Sequence, residues 1–169
     1  MPDFSFRAAT PDDAAEIAES MRLGFATYRS FTPRGWEPPD PEEERIRDRL
    51  AQPEVWCQMA EAGAEMAGHV SFIPAAIHGA IAVTDDPGLA HFWQLFVREP
   101  WWGSGLAVAL HAAAVAEATA RGFERFRLFT PAEQGRARRF YEREGWRTHG
   151  EVFFEPHFGW DLIEYRRTL

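Results

Sequence analysis

Between His91 and Arg121 the chain changes character twice, and that change limits the folds open to it. His91-Phe92-Trp93-Gln94-Leu95-Phe96-Val97 is an apolar and aromatic run of strand length and strand propensity. Arg98-Glu99-Pro100-Trp101-Trp102-Gly103-Ser104-Gly105 is a short loop with Pro and two glycines. Leu106 to Arg121 is alanine-rich, with Leu106, Leu110, Ala114 and Ala118 at helical spacing and Gly122 as the stop. A strand that passes through glycines into a helix makes a compact anion site. The first N–H groups of a helix have no partner inside it, and the helix dipole adds partial positive charge there. Gly103 and Gly105 carry no Cβ to hold a phosphate away from those groups. A plain tight turn is the other reading of the same residues. The turn is not a P-loop, because no Lys follows the glycines and the chain contains none. Nor is it the dinucleotide fingerprint, whose third glycine and downstream ribose-binding acid are missing.

The order of residues around the turn says more. Val97, Pro100 and then Trp102-Gly103-Ser104-Gly105-Leu106-Ala107 resemble the acetyl-CoA signature of the GNAT N-acetyltransferases, Gln/Arg-x-x-Gly-x-Gly/Ala entered from a strand ending in Val. Gly105 and Ala107 match, and Trp102 stands where the family prefers Gln or Arg. Downstream, Gln134-Gly135-Arg136-Ala137-Arg138-Arg139-Phe140-Tyr141-Glu142-Arg143-Glu144-Gly145-Trp146 resembles the family's Asn-x-x-Ala-x-x-Phe-Tyr-x-x-x-Gly-Phe helix, with Gln134 for Asn and Trp146 for Phe. The resemblance covers nearly the whole chain. It implies a single domain over residues 1–169 with the GNAT acyl-CoA N-acyltransferase fold, an α/β architecture whose mixed, mostly antiparallel sheet is flanked by helices. It also implies acetyl-CoA as acyl donor, a small-molecule primary amine as acceptor, and direct attack in a ternary complex. A non-catalytic acyl-CoA-binding or sensing module is the alternative on the same fold.

The resemblance assigns residues as well. A backbone N–H within Leu95-Phe96-Val97 is implied to hold the thioester carbonyl, and a strand used in this way has to part from its neighbour or bulge. Trp102, Gly103, Ser104, Gly105, Leu106 and Ala107 are implied around the pyrophosphate. Trp102 offers no guanidinium or amide there, so it leaves the backbone cradle and is free to stack over the cofactor. Gln134, Arg136, Ala137 and Tyr141 follow from the second motif, with Arg136 favoured over Arg138 and Arg139 because it lies in the first turns of the helix. Tyr141 is the implied acid toward the leaving thiolate. In the histone-acetyltransferase branch a carboxylate stands six residues before the strand-ending Val; here that residue is His91, which titrates near neutrality and is the candidate base. A structural strand histidine is the competing reading of His91, and Glu155 and His157 are further base candidates.

The remaining chain fits around these motifs. Phe4 to Ala9 reads as a strand, Thr10-Pro11-Asp12-Asp13 starts a helix reaching about Phe25, and residues 30–39 form a loop by their Pro and Gly content. A charged helix from Pro41 to Leu50 precedes two strands, 55–60 and 65–73, around a turn. Residues 74–88 read as loop, Leu89 to Val97 and Phe123 to Thr130 as strands, and Ala132 to Glu144 as helix. Trp146 to Phe154 and Leu162 to Arg166 are the last strands. With 169 residues and 46% hydrophobic content, one packed domain is expected. Trp36 and Trp93 are candidate walls of the acceptor cleft.

The net charge of -8 argues against nucleic acid and anionic membranes as partners. Residues 1–90 carry sixteen acids against seven arginines, or -9, while residues 91–169 carry ten against eleven, or +1. The first part would attract a cation, unless its acids only solubilise the surface. The single Cys57 and the lack of a leader-like start fit a cytoplasmic protein. The histidines show no metal-ligand spacing, so no metal is expected, and either a monomer or a homodimer is compatible with the chain.

Overall fold

The computed structural model describes residues 3–169. In chain order the elements are β1 (Ser5–Ala8), α1 (Ala14–Ala26), α2 (Glu43–Leu50), β2 (Trp56–Ala62), β3 (Glu65–Pro74), α3 (Ala75–His78), β4 (Leu89–Val97), α4 (Leu106–Ala120), β5 (Arg125–Pro131), α5 (Gly135–Arg143), β6 (Arg147–Glu155) and β7 (Trp160–Thr168). Short 3-10 turns occupy Pro11–Asp13, Thr27–Ser30 and Glu99–Trp101. The strands form one sheet in the order β1-β2-β3-β4-β5-β7-β6, antiparallel throughout except between β4 and β5. This is the mixed, helix-flanked sheet expected from the motifs. Among the described residues no helix is long and apolar enough to cross a membrane.

Each face of the sheet has its own apolar layer. Leu106, Leu110, Ala114 and Ala118 of α4 are at most 1% exposed, so the four-residue stripe is the buried face of that helix. It packs with Ala60, Val70, Phe72, Phe92, Phe126 and Tyr165 from the strands. On the opposite face Ala14, Ile17 and Ala18 of α1 and Ile46 of α2 close over Cys57, Met59 and Met66.

Two irregularities of β4 shape the site. Ser71 of β3 lies opposite Gln94 but Phe72 lies opposite Phe92, so Trp93 is an extra residue and the strand bulges there. Because side chains alternate along a strand, one extra residue reverses the faces. Phe92 meets His111 and Trp146 on the α4 side, while Phe96, beyond the bulge, meets Phe25 of α1. Leu95 and Val97 consequently pack on the α4 side. In addition, β4 and β5 pair only through Leu89–Arg125, Ala90–Phe126 and His91–Arg127. Past His91 no pairing joins the two strands.

Several boundaries differ from the sequence reading. Residues 75–78 form α3, which is too short for any apolar period to mark it. Helix α5 begins at Gly135 instead of Ala132, because the Ala132 N–H donates to the Asp161 carbonyl at 2.9 Å and the Gln134 N–H to Pro131 at 3.0 Å, which holds a turn beside β7. Helix α2 starts at Glu43 rather than Pro41. Strand β5 begins two residues late because the Phe123 N–H closes the end of α4 on Ala118, and β7 runs on at both ends to cover Trp160–Thr168.

Candidate active site

The parting of β4 from β5 opens a cleft of about 840 Å3. Leu95, Phe96, Gln134, Ala137, Tyr141 and His91 all line it, so six of the sequence-derived site residues come together. Trp93 lines it too. Trp36 does not: its ring packs on Trp160 at 4.7 Å and its N–H donates to the Phe158 carbonyl at 2.8 Å, so it stands behind the wall. Val97 and the residues of the 102–107 turn lie beyond the cleft lining, at the end of β4.

Backbone polarity follows from the ladder. The Arg98 N–H donates to Ala67 of β3 at 2.9 Å, and Val97 pairs with Gly68. In an antiparallel ladder the direction alternates residue by residue, so Leu95 and Val97 point their N–H and C=O groups away from β3, into the gap. The Val97 carbonyl accepts the Trp102 indole N–H there at 2.8 Å.

The turn is open. Gly103 and Gly105 have φ of 79° and 86°, the left-handed region that favours glycine, and a Cβ built on either would meet no atom within 4 Å. The Ser104 N–H is bonded to Trp101, and the Leu106 N–H to the Ser104 hydroxyl, which itself donates to Trp101. Ser104 therefore braces the turn rather than facing outward. The N–H groups of Gly103, Gly105, Ala107 and Val108 have no acceptor among the described residues. The Leu106 side chain is buried in the core. An unobstructed turn with free N–H groups at the start of a long helix fits a diphosphate, and the adjoining cleft fits the acyl arm.

Tyr141 stands on α5 against Phe92, Trp146 and Tyr165, and its hydroxyl has no hydrogen-bond partner among the described residues. Burial raises its pKa, helped by nearby Tyr28, so the phenol stays protonated at neutral pH. His91 is buried at 4% exposure, with its ring 3.9 Å from the His78 ring and 5.5 Å from Phe129. Burial, then His78 and the Arg127 charge, hold its pKa well below 6.5. His78 is pushed down to about 4 by burial and Arg127. Arg127 is itself buried and donates to the Ala82 and Ile81 carbonyls. Both imidazoles are thus neutral and able to accept a proton only against that field.

Glu155 at the end of β6 and His157 in the loop before β7 line the cleft, and the His157 N–H donates to the Glu155 carboxylate at 3.1 Å. Cys57 is buried on β2 among α1 side chains, outside the cleft, and burial pushes its thiol up to about 12. Arg138 is committed elsewhere, donating to the Tyr165 hydroxyl at 3.0 Å and the Ala132 carbonyl at 2.9 Å. Arg136 instead lies over the Trp102 ring, its guanidinium carbon 3.6 Å from the centroid.

Sequence reasoning missed Tyr28 and gave His78 no role in the site. Tyr28 lines the cleft from a 3-10 turn, its pKa pushed up to about 12 by burial, against a smaller opposing influence of the nearby Gln134 amide. No local pattern marks either residue.

The acetyltransferase (GNAT) family model matches residues 23–146. A search of curated proteins finds no match. Among solved structures, a GNAT-family protein from Desulfovibrio desulfuricans is 25% identical, with a TM-score of 0.72 over 98% of this chain and 99% of that one. The PaiA N-acetyltransferase of Thermoplasma acidophilum, solved with coenzyme A, is 13% identical, with a TM-score of 0.77 over 99% of each chain. Arabidopsis thaliana NAA60, solved with a bisubstrate analogue, is 17% identical, with a TM-score of 0.71 over 98% of each chain.

Proposed function

The chain belongs to the acetyltransferase (GNAT) family, and on that premise we propose that it transfers an acetyl group from acetyl-CoA to a small primary amine by direct attack in a ternary complex. The observation that carries the reading is the gap beside β4, where the free backbone of Leu95 and the protonated Tyr141 line one cleft next to an open N–H turn. Acetyl-CoA, when bound, supplies an activated thioester. The Leu95 N–H, with that of Val97 at the end of the gap, is the donor for the thioester oxygen as it gains negative charge. The Tyr141 hydroxyl donates its proton to the departing sulfur. His91, whose buried Nδ1 has no partner among the described residues, is assigned the proton of the attacking amine, directly or through water, against burial and the Arg127 charge that lower its basicity. The turn from Gly103 to Val108 and Gln134, Arg136 and Ala137 of the α5 region hold the donor. A cytoplasmic setting fits a chain whose single cysteine, Cys57, forms no internal disulfide.

The decisive experiment pairs turnover with binding. Tyr141→Phe is expected to lower kcat by about 100-fold or more, the scale of a lost general acid, with CoA affinity within about threefold of the parent. Acetyl-CoA binding without turnover of any amine in a broad panel would replace catalysis with a binding or sensing role.

A further inference from the structure

Trp102 is the one clear departure from the phosphate-turn signature, and its surroundings explain how the turn functions without the missing polar side chain. Its indole is fixed on one edge by the 2.8 Å hydrogen bond to Val97. Its face is covered by Arg136, whose guanidinium carbon lies 3.6 Å from the ring centroid, whereas the chain's other arginine–aromatic pairs stand 5.4 to 5.9 Å apart. At that distance the planar cation rests against the ring, which leaves its N–H edges free. Among the described residues that guanidinium makes no hydrogen bond and no ion pair; Glu99 affects it only through space. The neighbouring turn offers four N–H groups without acceptors. A preoriented cation with unused donors thus stands beside a row of unused backbone donors.

We propose that Trp102 and Arg136 act as one diphosphate clamp, in which α5 supplies the guanidinium that the turn lacks and the indole holds it in position for the diphosphate of CoA. The inference rests on the acyl-CoA reading above and assigns the phosphate recognition within it. Arginine suits the task because its fork can donate two parallel hydrogen bonds to phosphate oxygens. Stacking reduces the side-chain freedom lost when the anion binds.

Calorimetric titration of the full chain with CoA, dephospho-CoA and pantetheine tests the assignment by binding alone. Arg136→Gln is expected to weaken CoA and dephospho-CoA alike by about tenfold, the scale of one charge-assisted contact, and to leave pantetheine unchanged. Trp102→Leu should produce a similar loss, and the double variant should bind within about twofold of Arg136→Gln, because the two side chains act as a unit. Trp102→Arg combined with Arg136→Gln returns a guanidinium to the turn and should restore most of the affinity. Circular dichroism melts identify any variant that fails to fold; Arg136 is exposed, so Arg136→Gln and the rescue pair decide the matter if Trp102→Leu is unstable. An Arg136→Gln protein that binds CoA like the parent overturns the clamp while the acyl-CoA reading stands. So does a loss seen with CoA but not with dephospho-CoA, which would assign Arg136 to the ribose phosphate. A parent protein that binds no CoA overturns the clamp and the functional reading together.

Discussion

A neutral imidazole is built into the core behind β4. Trp146 donates its indole N–H to Nε2 of His111 at 2.9 Å, and both side chains are buried. The bond needs a lone pair on Nε2, so that nitrogen must be unprotonated. Burial, with the Arg167 charge, pushes His111 down to about 4 from 6.5, against the pull of Glu144. His69, bonded to Gln94 and stacked on Phe96, is likewise pushed down to about 4, chiefly by burial. Between about pH 4 and 6.5 the unfolded chain therefore binds protons that the folded chain does not. Stability rises with pH across that window and is lost as pH falls through it. Asp13, held at about 2 by Arg7, adds its own loss only below its ordinary 3.8. Urea unfolding should show His111→Gln, which keeps an acceptor for Trp146, losing roughly 2–3 kcal/mol less than the parent between about pH 7 and pH 4. Equal losses in the two proteins would mean that His111 titrates in the fold as it does in the unfolded chain. Residues whose role comes from local spacing, such as Leu106 and Leu110, were readable from the sequence. His111 and Arg136 were not readable to the same depth, because their partners Trp146 and Trp102 are distant in the chain.

Elements followed the same division. Strand β4 and helix α4 were legible nearly to the residue, since each is long enough to show its pattern and is bounded by glycine or proline. The four residues of α3 were not, although α3 ends in His78 and so sets the floor of the cleft. The need for β4 to part or bulge followed from the chemistry expected of it; the position of the bulge at Trp93 did not, because an extra residue is defined only against β3. The turn into α4 can be tested as a unit through Gly105→Glu. No atom lies within 4 Å of a Cβ there, so the side chain fits, while a φ of 86° makes any side chain strained by roughly 1–2 kcal/mol. The expected protein is folded, with a modestly lowered melting temperature, and binds no CoA, because the carboxylate occupies and repels the phosphate position. A folded Gly105→Glu protein with parental CoA affinity would remove this turn from the donor site.

At the scale of the molecule the unequal division of charge becomes a statement about rate. The first ninety residues carry -9 and the rest +1. The acidic part contributes α1, α2 and the loops between them, and Asp40, Glu42 and Asp48 from that part line the cleft, with Arg45 and Arg49 beside them. Arg45 pairs loosely with Glu42 at 3.7 Å, which leaves the local field weaker than the global charge suggests. For a protonated amine, the summed charge would then act mainly at longer range, where salt screens beyond about 8–10 Å. The amine has to lose its proton only once inside, beside imidazoles kept neutral by burial and by Arg127. The expected acceptor is therefore a small cation, and added salt should lower kcat/KM for it while leaving kcat nearly unchanged when acetyl-CoA is saturating. Saturation matters because acetyl-CoA is itself an anion, so its binding would have a salt dependence of its own. A neutral amine of similar size supplies the internal control, since its kcat/KM should stay flat across the same titration. Equal salt responses for the two amines, or a preference for anionic acceptors, would show that the acids of the first half serve solubility and do not steer substrate.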